Sequence, residues 1–191
     1  VTRIAFGVSS GGSAGASADE LLRLSNAEDN LGVNFLSDAI EDNLAISEVI
    51  DGFYDQYSDQ TGVDGVTSTG ETYTDAGAGG NSYYAGSAMV LVANSQTADT
   101  QPDTVRAVLF YDPQVAATLN TDCTFEVSRD GGTSWTTATL TKSGDYDANV
   151  EILTTGDIDI SAQFAGTSME YRYSNLNAKD QRLHGVYMTW R

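Results

Sequence analysis

The sequence is short of several residue types, and each shortage removes a class of protein. One cysteine in 191 residues, Cys123, excludes an intrachain disulfide framework and any zinc site built from several cysteines. Two prolines and 40% hydrophobic residues argue against a disordered chain. Nine Lys+Arg against 27 Asp+Glu give a formal charge of −18, so clustered cations are missing and neither nucleic acid nor an anionic membrane surface is an expected partner. No apolar run approaches the roughly 20 residues that cross a bilayer as a helix. The opening VTRIAFGVSSGG carries no stretch of secretory-leader type, and membrane insertion is not expected. Histidine occurs once, at His184, and no Gly-x-Ser-x-Gly, His-Glu-x-x-His or phosphate-cradling glycine loop is present. No enzymatic activity and no cofactor are expected from such a chain. Carboxylates are plentiful, and a glycosidase-like pair would need two of them about 5–10 Å apart across a cleft.

What the chain does have is clearest in Cys123 to Leu140, CTFEVSRDGGTSWTTATL. Phe125 and Val127 alternate with polar neighbours as a half-buried strand requires, Asp130-Gly131-Gly132 tolerates the positive φ of a tight turn, and Trp135 opens a return strand. The octet Ser128 to Trp135 resembles the Asp box, a hairpin motif best known from sialidase-type propellers. Ser128, Asp130, Gly132 and Trp135 occupy its key positions, and Ser134 stands where threonine is usual. The Asp carboxylate in such a turn accepts backbone N–H bonds, so the motif builds a turn and performs no chemistry. A propeller repeats the motif blade by blade, and a single copy argues against that architecture.

Read in order, the chain divides into four parts: a flexible Gly/Ser/Ala-rich arm (1–17), a helical assembly segment (18–58), an extended linker (59–86) and a β-sandwich domain (87–191). Ser17-Ala18-Asp19-Glu20 is a capping-box signature and predicts a short helix ending near Asn26. A second helix is expected from about Asn34 to Ser58. In it Leu36, Ala39, Asn43, Ile46, Ile50, Phe53 and Tyr57 follow the 3, 4, 3, 4, 3, 4 spacing of a coiled-coil seam, with Asn43 a polar residue at an a position. Such a stripe serves either as an oligomerisation seam or as an amphipathic face lying on its own domain. The linker is poor in aliphatics, and Tyr73, Tyr83 and Tyr84 are expected to anchor it on a neighbouring surface.

From Ala88 onward strand patterns recur at Ala88–Asn94, Thr104–Tyr111, Cys123–Ser128, Ser134–Leu140, Val150–Leu153, Asp157–Ile160, Ser168–Ser174 and Leu183–Trp190. That spacing predicts a mainly β fold with a C-terminal antiparallel sandwich, jelly-roll-like, preceded by the arm and a short helical segment. His184 alternates with Val186, Met188 and Trp190, which predicts a hydrogen-bonded structural role on the core-facing side of the last strand.

LVANSQTADTQPDTVRAVLFYDP, LNTDCTFEVSRDGGTSW, the GDYD turn, ISAQFAGTSMEYRY, LNAKDQRLHGV and the terminal Trp190 form a series that resembles a β-rich C-terminal domain of bacteriophage virion proteins, many of them tail fibres. IEDNLAISEVIDGFYDQYSDQTGVD is similar to the segment preceding that domain in the same proteins, so the resemblance covers roughly 36–191. It implies a structural subunit of a phage particle: an oligomeric tail fibre or other appendage, a homotrimer contacting other virion proteins, assembled in the host cytoplasm. A capsid decoration or collar protein and a carbohydrate-binding module that contacts a host-surface glycan or receptor stay open beside it. One further pattern, Asp145-Tyr146-Asp147-Ala148-Asn149, shares the Asp-x-Asp-x-Asn start of calcium loops, but Val150 and Gly156 stand where such a loop needs glycine and a bidentate carboxylate. Asp145, Asp147 and Asn149 are therefore expected to form a strand-connecting turn.

Overall fold

An unbroken apolar run, Ala107 to Tyr111, lies in the middle of the molecule with both faces covered. The structure is a computed structural model that describes residues 18–42, 47–49, 51–77 and 80–191. It contains one helix, α1 (Ala18–Asp42), followed by strands β1 (Ser47–Val49), β2 (Gly52–Asp55), β3 (Thr72–Thr74), β4 (Ser82–Ala85), β5 (Met89–Val92), β6 (Gln96–Thr97), β7 (Thr104–Pro113), β8 (Cys123–Ser128), β9 (Thr136–Ala138), β10 (Thr141–Asp145), β11 (Glu151–Thr154), β12 (Ile158–Asp159), β13 (Ser168–Asn175) and β14 (Gln181–Trp190).

The strands form two sheets in which every strand pair is antiparallel. The nine-stranded sheet runs β1-β2-β14-β7-β11-β10, with β3-β4 beside the first half of β14 and β12 beside the start of β7. The five-stranded sheet runs β5-β13-β8-β9, with β6 also on β13. Their facing sides enclose the main core, in which Val105, Leu109 and Tyr111 of β7 meet Phe125, Met169, Tyr171 and Tyr173 of the smaller sheet. Helix α1 covers the other side of the larger sheet, where Leu36 packs in one cluster with Tyr54, Val108, Phe110 and Tyr187. The fold is thus mainly β, an antiparallel sandwich with a helix as its third layer.

This layering explains the residue patterns. β7 is covered on both faces, so it reads as a continuous apolar run, whereas β13 alternates because only one of its faces is buried. Helix α1 approaches the sheet closely at Gly32, where a Cβ would sit 2.5 Å from Cδ1 of Tyr187. Arg106, on β7 and 5% exposed, pins the helix from below. Its Nη1 donates to Ser25 O (3.1 Å), Ser25 Oγ (2.9 Å) and Asp29 Oδ1 (2.9 Å), and its Nη2 to Asp157 Oδ1 (2.8 Å).

Three expectations are corrected, the first being the helix end near Asn26, since α1 runs unbroken from Ala18 to Asp42. No helix continues to Ser58: α1 ends at Asp42, and Gly52–Asp55 is strand β2, paired with β14 through Phe53↔Met188 and Tyr54↔Tyr187. Adjacent aromatics suit a pleated sheet with both faces buried, so Phe53 enters the main core while Tyr54 faces the helix. Nor is 59–86 a linker, because β3 and β4 belong to the nine-stranded sheet and Tyr83 is buried edge-on against Tyr57, with ring centroids 5.0 Å apart. The surface these tyrosines anchor to is their own sandwich. The arm (1–17) and the proposed N-cap Ser17 lie outside the described residues.

Candidate ligand-binding cleft

The Asp-box octet forms the turn its sequence predicts, and that turn is one wall of a cleft on the outer face of the five-stranded sheet. Asp130 Oδ1 accepts from Ser128 Oγ (2.8 Å) and Ser134 N (2.9 Å), Oδ2 accepts from Ser134 Oγ (2.5 Å), and Gly132 N donates to Ser128 Oγ (2.9 Å). Gly131 (φ 66°) and Gly132 (φ 74°) supply the left-handed backbone the reversal needs. Burial pushes the Asp130 carboxyl up, but the hydrogen bonds from Ser134 and Ser128 outweigh it and hold the group below the ordinary carboxylate range.

Arg129, between Ser128 and Asp130, holds the hairpin to the rest of the sandwich. All of its guanidinium nitrogens are used: Nε donates to Phe164 O (3.1 Å), Nη1 to Pro102 O and Asp103 Oδ1 (both 2.7 Å), and Nη2 to Ser161 O (3.0 Å) and Gln163 O (2.7 Å). Gln163 adds bonds to Arg129 N (2.9 Å) and Val127 O (2.8 Å). The loop at 161–164 is thereby fastened across the end of β8.

The second wall is the segment 61–70, which runs along the edge of β5. It is fixed there by Asp64 N to Val92 O (2.9 Å), Thr69 N to Val90 O (2.8 Å), Val90 N to Thr69 O (2.8 Å) and Val92 N to Ser68 Oγ (2.9 Å). Asp64 organises the loop tip by accepting from Thr67 Oγ1 (2.7 Å) and Val66 N (2.8 Å), and those bonds lower its pKa.

Between the walls lies a cleft of about 300 Å³ lined by Asp64, Thr67, Val90, Gly132, Trp135, Glu170 and Arg172, among others. Glu170 and Arg172 are two apart on β13, so both point outward from the sheet. The Arg172 guanidinium lies 4.5 Å from the Trp135 ring centroid and donates through Nε to Glu126 Oε2 (2.7 Å). Glu170 has its pKa raised, first by burial and then by the nearby carboxylates Asp64 and Asp130. The cleft therefore combines a carboxylate that takes no hydrogen bond among the described residues, a guanidinium edge and an apolar wall.

The other residues singled out in the sequence lie elsewhere. Of the expected seam, Leu36 is buried beneath α1, Phe53 and Tyr57 are fully buried in the main core, and Asn43, Ile46 and Ile50 lie outside the described residues. Phe53 and Tyr57 thus cannot form an intermolecular seam in this fold. At the calcium-like sequence, Asp145 pairs with Lys142 (2.8 Å), while Asp147 Oδ1 accepts from Asn149 N (2.7 Å) and Val150 N (2.9 Å). The segment is a strand-connecting turn between β10 and β11, with its carboxylates occupied within the chain.

His184 is hydrogen-bonded, with Nδ1 2.9 Å from Asn81 O, but it does not face the main core. A bulge in β14 between Leu183 and Gly185 keeps Leu183 and Val186 in that core and turns His184 toward Asp112, whose Oδ2 is 3.8 Å from Nε2. Burial lowers the His184 pKa and favours the neutral imidazole. Another buried titratable group, Asp55, was not singled out by sequence. Its Oδ1 accepts from Tyr57 N (2.8 Å), and burial raises its pKa to about 7.

The cleft residues Asp64, Glu170 and Arg172 were also not distinguished by the sequence, where they are three charges among many. A usable signal was the outward register of Glu170 and Arg172 on a strand paired with the Asp-box strand, but the pairing itself is not local information. Comparison with known protein families finds no match, and no curated protein matches the sequence significantly.

Proposed function

We propose that this chain is a structural subunit of a bacteriophage particle, an appendage protein of the tail-fibre type that contributes to host attachment. The reading starts from the ordered series of motifs in the sequence. One structural observation supports it: the two stretches that carry the resemblance fold as a single unit. Strand β2, from the earlier stretch, pairs along β14 at the end of the later one, and Phe53 of β2 stacks on Tyr171 of the opposite sheet at 6.1 Å. A resemblance that spans interlocked strands is more coherent than one scattered over separate modules.

Self-association as a homotrimer, with contacts to other virion proteins, belongs to this reading. The seam expected in the sequence is unavailable for it, since Phe53 and Tyr57 are internal. On the described part of α1 the large apolar side chains that remain exposed are Leu22 (60%), Leu24 (58%) and Leu31 (49%). Leu24 and Leu31 are seven apart and share a flank of the helix. The test is to identify the chain by mass spectrometry in purified particles and to measure its mass in solution by light scattering. Stoichiometric presence in particles and a trimeric mass support the reading. A protein absent from particles, or a monomer at high concentration, overturns it.

A further inference from the structure

We propose that the cleft between the Asp-box hairpin and the 61–70 loop binds a neutral saccharide. The proposal deepens the appendage reading, on which its biological purpose rests, but its physical basis is the cleft.

Three features point to this ligand class. The first is unused hydrogen-bonding capacity of both kinds. Among the described residues, Arg172 uses Nε toward Glu126, which leaves its two Nη groups to donate, and the influences on Glu170 are burial and repulsion, with no hydrogen bond among them. A donor edge and an acceptor projecting from one strand, two residues apart, match a polyol that both accepts and donates. The second is the apolar surface that Val90, Val92 and Trp135 contribute to the lining, suited to the C–H face of a sugar ring.

The third feature is charge. Asp64 and Glu170 line the cleft beside Arg172, the one cation in its lining, which is itself paired with Glu126, and the chain carries −18 overall, so anionic glycans and phosphates are repelled. A volume of about 300 Å³ lies at the low end of small-molecule sites, which suits one or two sugar rings. Both walls are fixed by their own hydrogen bonds, so little ordering accompanies binding.

The experiment uses the whole chain, isotopically labelled, titrated with glucose, galactose, mannose and N-acetylglucosamine while amide and indole NMR signals are followed. The expected result is movement of the Gly131, Gly132 and Glu170 amides and the Trp135 indole, with a dissociation constant on the order of 1 mM for at least one sugar. Glu170→Ala should weaken that sugar at least tenfold, and Glu170→Gln should weaken it less, with melting temperatures unchanged. No movement with any of the four sugars overturns the proposal, as does binding that Glu170→Ala leaves intact. Titration with lysine amide is the control: if it shifts the same signals and the sugars do not, the cleft is an amine site. Saccharide binding by a protein absent from particles would sink the appendage reading alone; a particle subunit whose cleft signals stay still would sink this one alone.

Discussion

The hydroxyls of Tyr57 and Tyr171 lie 2.8 Å apart in the main core, 114 residues apart in sequence, Tyr57 just beyond β2 and Tyr171 on β13 of the smaller sheet. Tyr57 follows β2 with φ of 57°, and its own carbonyl accepts from the Tyr73 hydroxyl at 2.9 Å. One residue thus joins the segment after β2, strand β3 and the five-stranded sheet. Removing either hydroxyl strands its partner in a dry interior. Tyr57→Phe and Tyr171→Phe are each expected to lower stability by about 1–3 kcal/mol, while the double variant loses less than the two together. Urea unfolding of the four proteins reads the coupling, and strict additivity would show that the bond contributes nothing.

Arg129 is a harsher case because it is 2% exposed and has five donors directed at five acceptors. Its substitution by Met is expected to destabilise by about 3–5 kcal/mol, since several buried carbonyls lose their partner at once. Arg129→Lys offers three donors in a different geometry and should recover only part of the loss. Thermal melts of both variants check the order.

Gly32 inverts a familiar rule. Glycine inside a helix normally costs about 1 kcal/mol relative to alanine. Here the added methyl would meet the Tyr187 ring at 2.5 Å and Cγ2 of Val108 at 2.9 Å. Gly32→Ala is therefore expected to destabilise the protein or lift α1 from the sheet, and hydrogen exchange along the helix will show which. A more stable variant would mean that the helix packs less closely than described.

Asp55 makes stability depend on pH in a defined direction. Burial raises its folded pKa to about 7 from an ordinary value of 3.8, with Tyr57 N opposing the rise and Asp59 adding to it. Below the ordinary value both states are protonated and the group has no effect. As pH rises from there to about 7, the unfolded chain releases a proton that the folded protein retains, so folding loses up to about 4 kcal/mol. Asp55→Asn should be near neutral at pH 4 and stabilising at pH 8. Denaturation at the two values, with wild type alongside, gives the sign; equal effects at both pH values would remove Asp55 from the account.

The candidate cleft shows how legibility runs out. Its Asp-box wall was readable residue by residue, because Ser128, Asp130 and the glycines act on neighbours two to four positions away. Glu170 and Arg172 become a site only when β13 lies beside β8 and β5, and the sequence carries no local mark of that pairing. His184 shows the same limit, since simple alternation placed it in the core and one bulge turned it to the other face.

By itself, the sequence determined what depends on near neighbours: strands β5, β7 to β9 and β11 to β14 in outline, though not β10, the tight hairpin, the turn at Asp147, and a strongly negative net charge. Tertiary structure decided the rest. Phe53 and Tyr57 satisfy a heptad spacing equally well on paper, yet β2 became a strand because an open place beside β14 allowed both faces of an aromatic pair to be buried at once. Burial of that kind is a property of partners distant in sequence, so periodicity within one segment cannot report it.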